Sequence, residues 1–124
     1  KGRAIGGDMV VDWFLIPNVH ESVIPALSGT ALGTRIDALG VIETYTSASC
    51  ILAADAAAKA GQVHLLEIRF AAGLGGKAFV TMTGEVSSVQ ASVDAGVAEA
   101  NKTAPVLSQI VIPSPCDDLK AQLV

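Results

Sequence analysis

Gly73-Leu74-Gly75-Gly76-Lys77 is the stretch that most invites a chemical reading. Glycine-rich loops ending in lysine cradle phosphates with backbone N–H groups. That pattern requires glycine at position 71 and Ser or Thr after the lysine, whereas this chain has Ala71 and Ala78. Gly73, Gly75 and Ala78 match the spacing of a dinucleotide fingerprint, but Phe79-Val80-Thr81-Met82-Thr83 follows as a strand. Without a helix N-terminus there is no dipole to hold a phosphate. The segment therefore reads as a tight hairpin of small residues, or a turn crowded around a symmetry axis.

The other reactive side chains are scattered. His20 and His64 are the only histidines, and neither stands in a Ser-His-Asp order. His64 falls in an apolar strand stripe with Leu66, Ile68 and Phe70, which predicts a buried or interface histidine. Cys50 sits among Ala, Ile and Leu on a helix and reads as a small core hydrophobe. Cys116 lies near a helix start, where thiols can be activated, but no base or second thiol accompanies it. Glu43, Asp55, Glu67 and Glu85 form no acid/base pair in sequence. Catalysis and metal binding are not expected.

Two cysteines 66 residues apart fit a reducing compartment better than a disulfide scaffold. The chain has 124 residues, with 51% hydrophobic and 16% charged, and a net charge of −4. It is expected to fold, with some apolar surface covered by partners. The absence of a Lys/Arg cluster argues against nucleic acid, and no apolar run is long enough for a membrane span.

A repeat organises the chain. Val10 to Leu27 aligns without a gap on Val106 to Leu123, at a constant offset of 96. Both copies read as a strand, an Ile-Pro stop, a polar cap and a short helix. In the first copy these are a strand at Val10–Ile16 and a helix at His20–Leu27. His20 aligns with Cys116, so that position suits a helix start rather than catalysis. Ser28 to Thr34 reads as a linker.

The rest reads strand, helix, strand, strand, helix, strand, helix. Strands are predicted at Ile36–Thr44, Val63–Phe70, Lys77–Thr83 and Val106–Ile112. A helix at Ser47–Ala60 is expected to start at a Ser47 or Ser49 cap and to end on Gly61 at C′. Its apolar face would carry Cys50, Ile51, Ala54 and Ala58. A second helix at Glu85–Ala100 has a stripe of Val86, Val89, Val93, Val97 and Ala100. Cys116–Leu123 would be the last helix. The expected fold class is α+β: an antiparallel ferredoxin-like sheet with helices on one face.

Several segments carry a resemblance. They are Ala38-Leu39-Gly40-Val41-Ile42-Glu43-Thr44, Ala53 to Ala60, Thr83-Gly84-Glu85-Val86-Ser87-Ser88-Val89 through Asp94-Ala95-Gly96, and Val111-Ile112-Pro113-Ser114-Pro115. In this order and spacing they resemble the bacterial microcompartment (BMC) shell domain. The first 27 residues resemble the end of another such domain. The whole looks like a tandem-domain shell protein of the trimeric class, of the kind found in propanediol-utilisation compartments. There Pro-Ala-(Ile/Leu)-Ser-Gly joins the halves, as Pro25-Ala26-Leu27-Ser28-Gly29 would here.

The resemblance implies residues 1–29 as the terminal strand and helix of a first BMC domain, 30–35 as linker and 36–124 as a complete second domain. It implies a trimeric, pseudohexameric structural tile with a central pore, in the shell of a polyhedral organelle in the bacterial cytoplasm. Partners would be copies of itself, neighbouring shell proteins and enclosed enzymes. Lys59 falls on the family's tile-edge lysine, and Gly73, Leu74, Gly75, Gly76 and Lys77 on its pore loop. Ser114 and Cys116 replace the Arg and His that the family often carries in its Pro-Arg-Pro-His segment, and Gln62 replaces its Asn. No cofactor is implied for this chain. An iron–sulfur cluster would require a cysteine in the pore loop of the first domain. A ferredoxin-like trimer binding a small ligand is the other alternative.

Overall fold

The computed structural model describes residues 2–7, 15–28, 37–70 and 76–114. Two short helices come first, α1 at Gly2–Gly6 and α2 at Val23–Ser28. The sequence pattern does not announce α1. The order is then β1 (Ala38–Thr44), α3 (Ser47–Ala60), β2 (Val63–Phe70), β3 (Ala78–Gly84), α4 (Val86–Asn101) and β4 (Val106–Ile112). The strands form one antiparallel sheet in the order β2-β3-β1-β4. Each βαβ unit leaves a gap that the other unit's strand fills, which is the ferredoxin-like arrangement expected from the sequence.

Helices α2, α3 and α4 share one core with the inner face of the sheet. Cys50, Ala53, Ala54 and Ala57 of α3 meet Ile42, Val80 and Met82, and Val89 and Val93 of α4 complete the layer. The thin alanine face of α3 lets the two long helices lie close together. Gly96 marks a close point of that packing, where an added Cβ would stand 2.8 Å from the Ala53 carbonyl oxygen and 2.7 Å from Ile42 Cδ1. Gly40 does the same against the sheet, with Val89 Cγ1 at 2.8 Å from the position of a Cβ. On the opposite face Leu39 and Leu66 are buried, with Val41 and Ile112 packed against them.

Helix α3 spans the expected residues, but its N-cap is Thr46 rather than Ser47 or Ser49. The Thr46 hydroxyl accepts the Ser49 N–H at 3.1 Å. Gly61 follows the helix with an extended backbone (φ −146°), not the left-handed cap expected. Its glycine serves close approach instead. A Cβ there would stand 2.5 Å from Ser92 Oγ. In α4, Val89, Val93 and Ala100 are buried and Val97 packs on the core, while Val86 is exposed.

Strand β2 corrects the face assignment. A register shift between Leu65 and Glu67 inserts an extra residue, so Leu65 pairs with Met82, Glu67 with Thr81 and Ile68 with Val80. A bulge of this kind reverses which face the following side chains take. Val63, Leu65 and Ile68 therefore face the helices, Leu66 faces away, and His64 is exposed rather than buried. The strand expected at Val10–Ile16 lies outside the described residues except for Leu15 and Ile16, which belong to no strand. The helix expected at Cys116–Leu123, the linker at 30–35, and Cys116 itself also lie outside them.

Candidate functional site

Two regions carry the residues singled out from sequence. The first is the outward side of α3. Asp55 and Lys59 are one helical turn apart, so both project from the same side. Lys59 Nζ lies 2.7 Å from Asp55 Oδ2. The two side chains differ in exposure, 44% for Lys59 and 9% for Asp55. Lys59 also stands in the last turn of α3, where the carbonyl ends of the helix favour a cation.

The other Asp55 oxygen is occupied from a distant part of the chain. The His20 backbone N–H donates to Asp55 Oδ1 at 2.7 Å. His20 lies in the turn leading into α2: its carbonyl accepts the Val23 N–H at 3.1 Å. Its ring Nδ1 accepts the Ser22 N–H at 3.1 Å and stands 2.9 Å from Ser22 Oγ. This agrees with the reading of His20 as a helix-start residue. Helix α2 seats Val23 and Ala26 in the core with no exposure. Beside this junction is a cleft of about 290 Å³, lined by Leu15, Ile16 and Pro17 on one side and by Leu52, Asp55, Lys59 and Glu99 on the other. Sequence reasoning weighed Asp55 only as one of several scattered carboxylates. Its spacing to Lys59 was legible, but nothing in the sequence links it to His20.

The second region is the end of the sheet where β2 turns into β3. The two strands form the expected antiparallel hairpin, with Phe70 paired to Ala78. Gly73, Leu74 and Gly75 lie outside the described residues. Gly76 has φ +85°, a left-handed conformation that glycine adopts at little cost. Ser47 Oγ donates to the Gly76 carbonyl at 3.4 Å, which ties the turn to the start of α3. Lys77 is half-buried there. Tyr45, which sequence reasoning did not single out, and Phe70, expected in the apolar stripe of β2, are exposed aromatics at the same end.

Neither region assembles catalytic chemistry from the described side chains. Glu43 accepts from Ser108 Oγ, Glu67 pairs with Arg69, and Asp55 pairs with Lys59, so these carboxylates are separate. Burial pushes the Cys50 thiol up to about 12, only partly opposed by the Thr44 hydroxyl, so it is no nucleophile at neutral pH. Among the described residues no three His, Cys, Asp or Glu side chains converge as a metal site. No described helix is long and apolar enough to cross a membrane.

The BMC-domain family model matches residues 38–115. The bacterial microcompartment shell protein PduT of Citrobacter freundii is 38% identical over 123 residues, covering 99% of this chain and 67% of that protein. The bacterial microcompartment shell protein EutM of Escherichia coli K12 is 36% identical over 85 residues, covering 68% of this chain and 86% of that protein. A crystal structure of a microcompartment protein from Desulfitobacterium hafniense DCB is 51% identical and superimposes with a TM-score of 0.87, covering 97% of this chain and 67% of that one.

Proposed function

The chain belongs to the BMC-domain family of bacterial microcompartment shell proteins, and from that premise we propose that it is a structural tile: a homotrimer whose tandem domains surround a pore. On this reading residues 1–29 end one BMC domain, 30–35 link, and 36–124 form the next. The observation that carries it is the seating of α2. A segment that repeats the end of a BMC domain buries Val23 and Ala26 in the core of the domain that follows. One unit thus completes the next. A contact of that head-to-tail kind closes into a ring when its rotation is a whole fraction of a turn.

The glycine-rich turn at Gly73–Lys77 then lines the central pore, where three copies of it converge with the loops of the other three domains and large side chains would collide. Lys59 lies at the tile edge. Its ammonium is partly exposed, beside the cleft formed with Leu15–Pro17. Neighbouring shell proteins and enclosed enzymes are the expected partners. Metabolite passage through the pore, rather than catalysis, is the activity.

Sedimentation of the purified protein should give a trimer, and concentrated protein should form sheets or tubes. Lys59→Ala should reduce lateral assembly and leave the trimer intact. A stable monomer that never forms sheets would sink the tile reading. A redox pore is the alternative, with an iron–sulfur cluster held by a cysteine in the pore loop of the first domain. Visible absorbance after anaerobic purification would support it.

A further inference from the structure

Asp55 is the one described side chain that holds both the upstream segment and the candidate edge lysine. Its two carboxylate oxygens have separate tasks. Oδ1 accepts the His20 N–H, and Oδ2 accepts the Lys59 ammonium, each at 2.7 Å. With only 9% of the side chain exposed, water cannot readily replace either partner. The His20 carbonyl also accepts the N–H of Val23, the first residue of α2, in the turn that leads into the helix. Oδ1 therefore fixes the origin of the helix that carries Val23 and Ala26 into the core.

We propose that Asp55 is a positioning residue that couples the seating of α2 to the orientation of Lys59. When α2 is seated, His20 holds Oδ1 and pins the carboxylate plane, which leaves Oδ2 aimed at the lysine. When α2 lifts away, the carboxylate is free to rotate and rehydrate, and Lys59 loses its fixed anchor. An exposed i,i+4 ion pair alone is too weak to hold a lysine in one rotamer. The buried carboxylate, fixed from behind, supplies that constraint. The consequence is an order of events: Lys59 is set for contact with a neighbouring tile only in chains whose interdomain segment has docked. This rests on the edge role of Lys59 proposed above.

The test uses the whole protein and three readouts: hydrogen exchange over residues 20–28, acylation of Lys59 followed by peptide mass spectrometry, and sheet formation by light scattering. Asp55→Asn keeps an acceptor for His20 and loses the charge. It should leave exchange within about threefold of the parent, label Lys59 at least threefold faster and assemble poorly. Asp55→Ala should raise exchange about tenfold or more and label Lys59 equally fast. Val23→Asp unseats α2 while leaving Asp55 and Lys59 in place, and it should also label Lys59 at least threefold faster. If that variant does not fold, His20→Pro removes the same N–H donor and should do likewise.

Unchanged labelling of Lys59 in an unseated variant overturns the coupling. Unchanged exchange in Asp55→Ala overturns the latch. If Lys59→Ala itself forms normal sheets, the edge role fails, and labelling and exchange still decide the coupling.

Discussion

Replacing Gly96 by alanine should destabilise the domain, although it improves the intrinsic preference of α4. In an exposed helix interior Gly→Ala is worth about 1 kcal/mol of stability. At Gly96 the new methyl group would lie 2.7 Å from Ile42 Cδ1 and 2.8 Å from the Ala53 carbonyl oxygen. The first neighbour is a wholly buried side chain, and the second is the backbone of α3. Ile42 Cδ1 is the free end of its side chain and can turn aside, but the carbonyl cannot yield without moving the α3–α4 seam. Overpacking of this kind costs about 1–3 kcal/mol, and a backbone obstacle argues for the upper half of that range. The expected net effect is a loss of about 1–2 kcal/mol, or roughly 4–8 °C in Tm for a domain of this size. Urea titration and calorimetry measure it directly. Exposed Ala98 is the control: Ala98→Gly should cost about 1 kcal/mol by propensity alone. Adding Ile42→Val to Gly96→Ala removes the Cδ1 contact but not the carbonyl contact, so recovery should be partial. A Gly96→Ala protein as stable as the parent, or more stable, would refute the close-approach reasoning.

Ser92→Ala should raise stability by about 0.5–1.5 kcal/mol, because Ser92 Oγ is buried without a hydrogen-bond partner and alanine suits the helix better; a loss on chemical denaturation would show that the hydroxyl is satisfied in solution. Cys50 should resist an aromatic disulfide reagent at pH 8 until the protein unfolds, with peptide mapping as the readout, and modification of the native protein within minutes would contradict its burial. The raised thiol also sets a pH dependence. Above pH 9.0 the unfolded chain releases this proton while the folded chain keeps it to about 12. Stability from this group should therefore fall as pH rises through that window and stay constant below it. Cys50→Ala should flatten that part of the profile.

The fold was legible where one periodicity governs a segment without interruption. The Val89, Val93 and Ala100 stripe of α4 and the alanine face of α3 found the core as the sequence predicts. Strand β2 was not, because a bulge breaks period two from within. Strict alternation groups Val63 and Leu65 with Glu67 and Arg69, an unlikely face for any sheet, and sets His64 beside Ile68. One extra residue between Leu65 and Glu67 removes the conflict, putting Val63, Leu65 and Ile68 inward and His64 outward. The mixed face was the signal. Gly61 was read as a conformational glycine when its task is steric, since the residue it must admit, Ser92, lies 31 positions away on another helix.

The site follows the same division between local and distant information. The Asp55–Lys59 pair can be read from spacing, whereas the bond from His20 joins residues 35 apart and leaves no local pattern. The proposed reading of the repeat places the α2 segment at the end of an upstream domain, while its packing places Val23 and Ala26 in the core with the sheet, α3 and α4. Physical chemistry reconciles the two. A six-residue helix cannot persist alone, because one and a half turns do not offset the cost of nucleation. It exists only where a neighbour buries its apolar side. On the proposed domain division, a segment that ends one domain and is stabilised by the next would make each domain depend on its neighbour, and a carboxylate at that junction would report whether the neighbour has arrived.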